Sequence, residues 1–175
     1  MLSKLKGGLK LYAPNVLGGK IMAIDSFSGD FEFLSNFYDK MVYYNGLYYA
    51  TSEHAYQTAK TIIPGEMDLV RNCRTPGQAK RMASKKKEKI TLRPGWNDMR
   101  YDVMLEIVRS KFKDPDLRQK LIDTFPVPLV EGNTWHDNFW GNCICLDCKN
   151  KEGHNWLGFI LMTVRGELMA EVFKK

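Results

Sequence analysis

At 175 residues with 44% hydrophobic content, the chain can close one ordinary core and is too short for two full domains. Its formal net charge of +6 and pI near 9.1 permit approach to polyanions by displacing counterions from phosphate chains, without requiring it. The opening MLSKLKGGLKLYAPNVLGGK holds no apolar stretch long enough for a signal peptide or a membrane span, so an intracellular, cytoplasmic protein without a membrane partner is expected.

Gly7, Gly8, Pro14, Gly18 and Gly19 break up the first stretch, which reads as an N-terminal arm over residues 1–19, with the fold expected over 20–175. KIMAID is short and β-compatible. Asp25 to Asp30 is rich in turn formers and leads into FEFLSNFY, whose aromatics alternate before meeting Ser35-Asn36. In MVYYNGLYY (Met41 to Tyr49), Asn45-Gly46 separates two aromatic runs, and both residues tolerate the positive φ of a primed turn, which predicts a β-hairpin. Thr51 caps a helix from Ser52, Glu53 sits in its first turn where the helix dipole favours a negative charge, and Pro64-Gly65 is expected to end it.

Thr75-Pro76 opens another helix, running into Lys85, Lys86, Lys87 and Lys89, a run more typical of a solvated face than of a binding site. From Asn97 to Phe112, the apolar residues Met99, Val103, Met104, Ile107, Val108 and Phe112 recur at helical spacing and predict an amphipathic core helix. Asp114-Pro115 caps the next helix. The last starts at Asn155 and buries Leu157, Ile160, Leu161, Val164 and Leu168. Strands followed mostly by helices predict a helix-dominated α+β domain with a small β-sheet or hairpin. No G-x-G-x-x-G follows a strand, which argues against a Rossmann cofactor site.

Four stretches carry residues fit for chemistry. On TSEHAYQTAK, Glu53, Tyr56, Gln57 and Lys60 stack on one helix face, where a carboxylate with an amide and an ammonium above it can orient a water or a sugar hydroxyl; the same spacing fits an exposed amphipathic surface. In NTWHDNFWGN, Asp137 is flanked by Trp135, His136, Phe139, Trp140 and Gly141; indoles stack on bases and sugars and exclude water, which keeps a carboxyl protonated, yet they also serve as core anchors. In FEFLSNFY, aromatics around Asn36, Phe37 among them, form either a slot for a flat ring or a half-buried strand ending in a turn. In EGHNWLGFILMTVR, Asn155 opens a helix whose unpaired N–H groups suit a phosphate, with Gly158 and Arg165 further along; Arg165 equally fits a structural ion pair. The cluster Cys143, Cys145, Cys148 with His154 nearby reads as thiols or as a structural zinc site.

In order and spacing, FEFLSNFY, YNGLYYATSEHAYQTAK, NTWHDNFWG and GHNWLGFILMTVR resemble the successive motifs of the NADAR (NAD and ADP-ribose), or YbiA-like, family. WNDM (Trp96 to Met99) and SKF (Ser110 to Phe112) resemble its middle section, and the likeness runs from about Asp25 to Arg165. It implies a compact helix-rich domain that hydrolyses N-glycosidic bonds. Activities in the family include cleavage of a ribosylamino-pyrimidine intermediate of riboflavin synthesis and removal of ADP-ribose from the guanine amino group in nucleic acid. The family pattern places Glu53, Lys60, Trp96, Asp137 and Trp140 at the pocket, with Asn36 and Asn155 among the polar contacts. Phe37, Tyr56, Gln57, Gly141, Gly158 and Arg165 complete the expected substrate-binding set.

Breaking a ribosyl C–N bond builds positive charge at the anomeric carbon and negative charge on the leaving nitrogen, so the site needs a carboxylate near one and a proton donor near the other. Glu53 and Asp137 are the expected pair, in either order of roles, with Lys60 as the candidate for a transient imine. No cofactor or metal is required by this chemistry. The expected substrate is ADP-ribosylated guanine in DNA, an antitoxin-like reversal; the riboflavin intermediate and a non-catalytic ADP-ribose reader are the alternatives.

Overall fold

The computed structural model of the chain describes residues 16–17, 20–84, 89–148 and 150–173. Most of the arm and the lysines at 85–87 therefore lie outside the described residues. Strand β1 (Val16–Leu17) pairs antiparallel with β2 (Lys20–Ile21), across the boundary placed at Lys20. Asn45 and Gly46 take φ of 46° and 83°, the left-handed pair a primed turn needs. They close the hairpin of β3 (Val42–Tyr44) and β4 (Leu47–Tyr49), with Tyr43 opposite Tyr48.

FEFLSNFY contributes no strand. Gly29–Leu34 winds as a 3₁₀ helix that buries Phe33 and Leu34, because these neighbours must turn inward together rather than alternate across a sheet. The Thr51 hydroxyl accepts from the His54 N–H and caps α1 (Ser52–Thr58). That helix stops at Thr58, six residues before the proline expected to end it. Pro64 instead occupies the first turn of α2 (Pro64–Arg71), where its missing N–H and fixed φ cost nothing. Thr75 caps α3 (Pro76–Met82), which ends short of the lysine run.

The core lies where α4 (Trp96–Lys111), α5 (Pro115–Asp123) and α6 (Trp156–Phe173) meet. Val103, Met104, Ile107 and Val108 of α4 are buried with Leu157, Ile160, Leu161 and Val164 of α6, at the helical spacing read from the sequence. A short parallel pair, β5 (Gly132–Asn133) with β6 (Asn142–Cys143), frames the loop 134–141. Among the described residues no helix is long and apolar enough to cross a membrane.

The C-terminal end of α4 anchors the segment before α1. Ser110 Oγ accepts from the Tyr43 N–H at 3.0 Å, and Phe112 meets Phe33 edge-on. Lys111, only 2% exposed, donates to the Ser35 carbonyl at 2.7 Å and lies over the Tyr38 and Phe112 rings. Burial pulls its ammonium pKa down to about 7. An unfolded lysine keeps its proton up to about pH 10.4. The unfolded state therefore binds more protons than the native one between these values, and stability rises with pH by up to ~1.4 kcal/mol per unit. Urea unfolding of wild type at pH 7, 8 and 9 is expected to show that rise, and Lys111→Met to flatten it; parallel slopes in the two proteins would contradict this account.

Candidate active site

All seven residues of α1 are buried, charged ones included. Its polar face turns inward to a cavity of about 560 Å³ rather than to solvent, and Glu53, Tyr56, Gln57 and Lys60 all line that cavity. The Glu53 side chain is fixed by Gln57 Nε2, which donates to Oε1 at 2.7 Å, while its backbone N–H donates to the Asn36 carbonyl at 3.0 Å. Burial raises the Glu53 pKa above the usual carboxylate range; the Gln57 hydrogen bond and the Lys80 and Lys60 charges oppose the rise, and Asp137 adds to it.

Asp137 enters from the loop between β5 and β6. Its Oδ1 accepts the backbone N–H groups of Phe139 at 3.0 Å and Trp140 at 2.9 Å. Asn133 holds the same turn from inside, accepting from the Asp137 N–H and donating to the Asp137 carbonyl. The carboxylate is thus aimed by its own backbone, and the flanking Phe139 and Trp140 rings pack edge to face at 4.9 Å.

A third carboxylate, Glu131, joins Glu53 and Asp137 in the cavity lining, and nothing in the sequence pointed to it. Burial, then the Asp137 and Glu53 charges, push its pKa up to about 7, with Lys80 opposing. Asn36 Oδ1, Gln57 Oε1, Arg100 Nε and Glu131 Oε2 are buried with no hydrogen-bond partner among the described residues, and all four belong to the cavity lining. Native interiors rarely leave such groups unmatched, so these atoms are available to a polar ligand.

The walls are aromatic. Tyr56 packs against Trp96 at 5.2 Å and edge-on to Trp140 at 5.3 Å. Burial raises the Tyr56 pKa, so its phenol keeps its proton. Arg100 lies 3.4 Å over the Phe139 ring. At the rim, the Lys80 ammonium sits between two exposed rings, 5.7 Å from Phe37 and 5.5 Å from Trp135. An exposed cation between exposed aromatics suits a nucleotide, which offers both a π-face and a phosphate.

Of the residues expected from sequence, Asn36, Phe37, Glu53, Tyr56, Gln57, Lys60, Trp96, Asp137 and Trp140 all line this cavity. Gly141, Asn155, Gly158 and Arg165 do not. The Asn155 side chain accepts from the Glu131 N–H and donates to the Leu129 carbonyl, fastening the segment that carries Glu131. Gly158 brings α6 against the Leu129 carbonyl oxygen and Gly141 packs against that of Glu131, so a methyl at either would collide with backbone. Arg165 Nη1 donates to Thr124 Oγ1 and the Val127 carbonyl, both at 2.8 Å, and so clamps the end of α5 instead of a phosphate. His154 stacks on Trp156, and the imidazole beside the thiols is His136.

Comparison with known proteins places the chain in a family and a fold. The NADAR domain family matches residues 26–169. The N-glycosidase YbiA of Shigella flexneri serotype 5b is 32% identical over 158 residues, covering 90% of this chain and 94% of that protein. The protein of the same name from Escherichia coli K12 aligns over the same shares at 32% identity. A riboflavin biosynthesis protein of Vibrio vulnificus is 35% identical over 137 residues, which are 78% of this chain and 35% of the longer protein. The NMR structure of E. coli YbiA matches with a TM-score of 0.73 at 29% identity, covering 89% of this chain and 91% of that one.

The raised pKa of Glu131 has a consequence for stability. An unfolded glutamate ionises near pH 4.3, whereas the native one holds its proton to about pH 7. The native state therefore binds the extra proton across that interval, and stability falls as pH rises through it. Glu131→Gln is expected to reduce this fall, to which Glu53 also contributes, measured as the change in urea midpoint between pH 5 and pH 7; an unchanged pH dependence would refute the assignment.

Proposed function

The chain belongs to the NADAR domain family, and from that premise we propose that it is an N-glycosidase that removes ADP-ribose from guanine bases in DNA. The observation that carries the reading is the meeting of Glu53, Asp137 and Glu131 in one aromatic-walled cavity. An oxocarbenium-like centre gains from a buried carboxylate, and Glu53, locked by Gln57, supplies one that either faces that charge or activates the attacking water. Glu131, whose carboxyl holds its proton up to about pH 7, is the donor for the leaving nitrogen. Asp137, with Oδ1 committed to two backbone N–H groups, has its other oxygen to accept from a ribose hydroxyl. Paired carboxylates in unlike settings are the usual route to an acid and a base at one pH. Lys60 is the alternative nucleophile, through an imine on the ring-opened sugar.

For the substrate, support comes from the rim. Lys80 between Phe37 and Trp135 suits the adenine and pyrophosphate of an ADP-ribosyl group, and the +6 charge favours approach to DNA. The riboflavin biosynthesis proteins among the relatives favour a second reading, hydrolysis of a ribosylamino-pyrimidine.

Incubation with guanine-ADP-ribosylated DNA is expected to release ADP-ribose and leave unmodified guanine. Release of ribose 5-phosphate from the pyrimidine intermediate, with the modified DNA left intact, would reject the first reading for the second. Glu53→Gln is expected to lower kcat by roughly 10²–10⁴-fold while retaining ligand binding. Binding of ADP-ribose by wild type and Glu53→Gln alike, with no turnover of either substrate, would instead identify a non-catalytic reader. Borohydride added during turnover distinguishes the imine route, which alone leaves a covalent adduct on Lys60.

A further inference from the structure

We propose that His136, Cys143, Cys145 and Cys148 form a structural zinc site that braces the loop presenting Asp137 to the cavity. The four ligand atoms lie within 4.8 Å of one another. His136 Nδ1 stands 3.3 Å from Cys145 Sγ and 3.4 Å from Cys148 Sγ. Around a tetrahedral zinc with Zn–S of 2.3 Å and Zn–N of 2.0–2.1 Å, neighbouring ligand atoms stand about 3.5–3.8 Å apart. The two histidine–cysteine pairs lie slightly inside that spacing and the 4.8 Å bound slightly outside it, so side-chain adjustments of at most about 1 Å bring the four atoms to a coordination shell. Three thiolates and one imidazole match the preference of zinc for soft and borderline donors, and four protein ligands leave no open position, as in structural rather than catalytic sites.

Two further observations point to a ligand here. His136 adopts φ of +67°, a left-handed backbone uncommon for any residue with a side chain, and this conformation brings its imidazole to the sulfurs. Its own N–H donates to Cys143 Sγ at 3.3 Å, the kind of outer hydrogen bond that relieves charge on a metal-bound thiolate. None of the three cysteines is in a disulfide, and Cys143 and Cys148 are buried.

The placement gives the ion a purpose. β5 and β6 pair over only two residues each, too short a ladder to fix an intervening loop. Zinc would tie residue 136, on the outgoing side of that loop, to 143, 145 and 148 beyond its return. Asp137 follows His136 directly, and its Oδ1 hydrogen bonds orient Phe139 and Trp140. Binding exchanges up to three thiol protons for one Zn²⁺, with no change of oxidation state. The proposal does not depend on the glycosidase reading, because metal content is measured apart from turnover.

The test uses the full chain, purified without chelator in the presence of zinc. Elemental analysis is expected to find about one zinc per chain, and Co²⁺ exchanged into the site to give the visible bands of tetrahedral thiolate coordination. Chelation should lower Tm by about 5–10 °C. Cys143→Ser and Cys148→Ser should lose the metal, His136→Cys should retain it as a four-thiolate site, and Cys73→Ser, away from the cluster, should leave its content unchanged. If the serine variants fail to fold, thiol titration of the folded wild type decides the matter. Only Cys73 should react with zinc present, and four thiols after chelation. Substoichiometric zinc with four reactive thiols, and no cobalt bands, would overturn the proposal.

Discussion

Burying an ionisable carboxyl inside a small domain is costly unless the surroundings supply hydrogen bonds or countercharge, and the arrangement of this molecule turns on that constraint at Glu53. Its side chain is 5% exposed on a helix buried along its whole length. The chain meets the cost locally. Glu53 sits in the first turn, where the helix dipole favours a negative charge. Gln57, one turn on, donates to it, and Lys60 and Lys80 oppose the rise in its pKa. The Asn36 carbonyl takes the orphan N–H of the same residue, tying the helix start to the segment that Lys111 holds through Ser35. The anchoring by Ser110, Lys111 and Phe112, remote from the cavity in sequence, thereby supports the carboxylate.

With Glu53 so placed, the electrostatics of the other two acids follow. Three carboxylates lining one cavity cannot all ionise at low cost, because each raises the cost of the others. Burial raises both Glu53 and Glu131, and Glu131, which has an oxygen without a hydrogen-bond partner among the described residues, holds its proton to about pH 7. Asp137, by contrast, accepts from two backbone N–H groups. The same cavity therefore holds a carboxylate with two backbone hydrogen bonds on one oxygen and a carboxyl with an unpartnered oxygen.

Much of this was legible in the sequence because it depends on spacing alone. The turn at Asn45-Gly46, the caps at Thr51, Thr75 and Asp114, and the apolar stripes of α4 and α6 are local signals. The shared face of Glu53, Tyr56, Gln57 and Lys60 is helical arithmetic; that the face is buried is not, because α2, α3 and α4 pack around it from elsewhere in the chain. Pro64 illustrates an ambiguity of punctuation, since a proline can follow one helix or open the next. Asn155 and Arg165 carry donors that would serve a phosphate as well as they serve backbone carbonyls, and only tertiary packing shows the second use. Glu131 stands in the plain context VPLVEGN, with no period or motif to mark it. Both histidines lie close in sequence to the cysteines, and a backbone dihedral at residue 136 selects between them.

Position along the chain explains why the segment 131–142 carries so much of the site. It begins with Glu131, whose N–H is held by Asn155 at the start of α6, and it ends at β6, whose pairing with β5 closes the loop. Between these fixed ends it must present Asp137, Phe139 and Trp140 to residues of α1 and α4 that belong to the main core. A loop of this kind pays its ordering entropy without a core of its own, so its precision has to come from specific bonds. Asn133 and Asn138 provide some: Asn138 Oδ1 accepts the Cys143 N–H, and the Asn138 carbonyl accepts the His154 N–H. The asparagines hold the turn through their side chains, and His136, next to Asp137, meets the cysteine cluster. On the proposed reading, in which Asp137 accepts from a ribose hydroxyl, that carboxylate tolerates little play; the Asn133 and backbone hydrogen bonds limit it from one side, and the proposed zinc would limit it from the other.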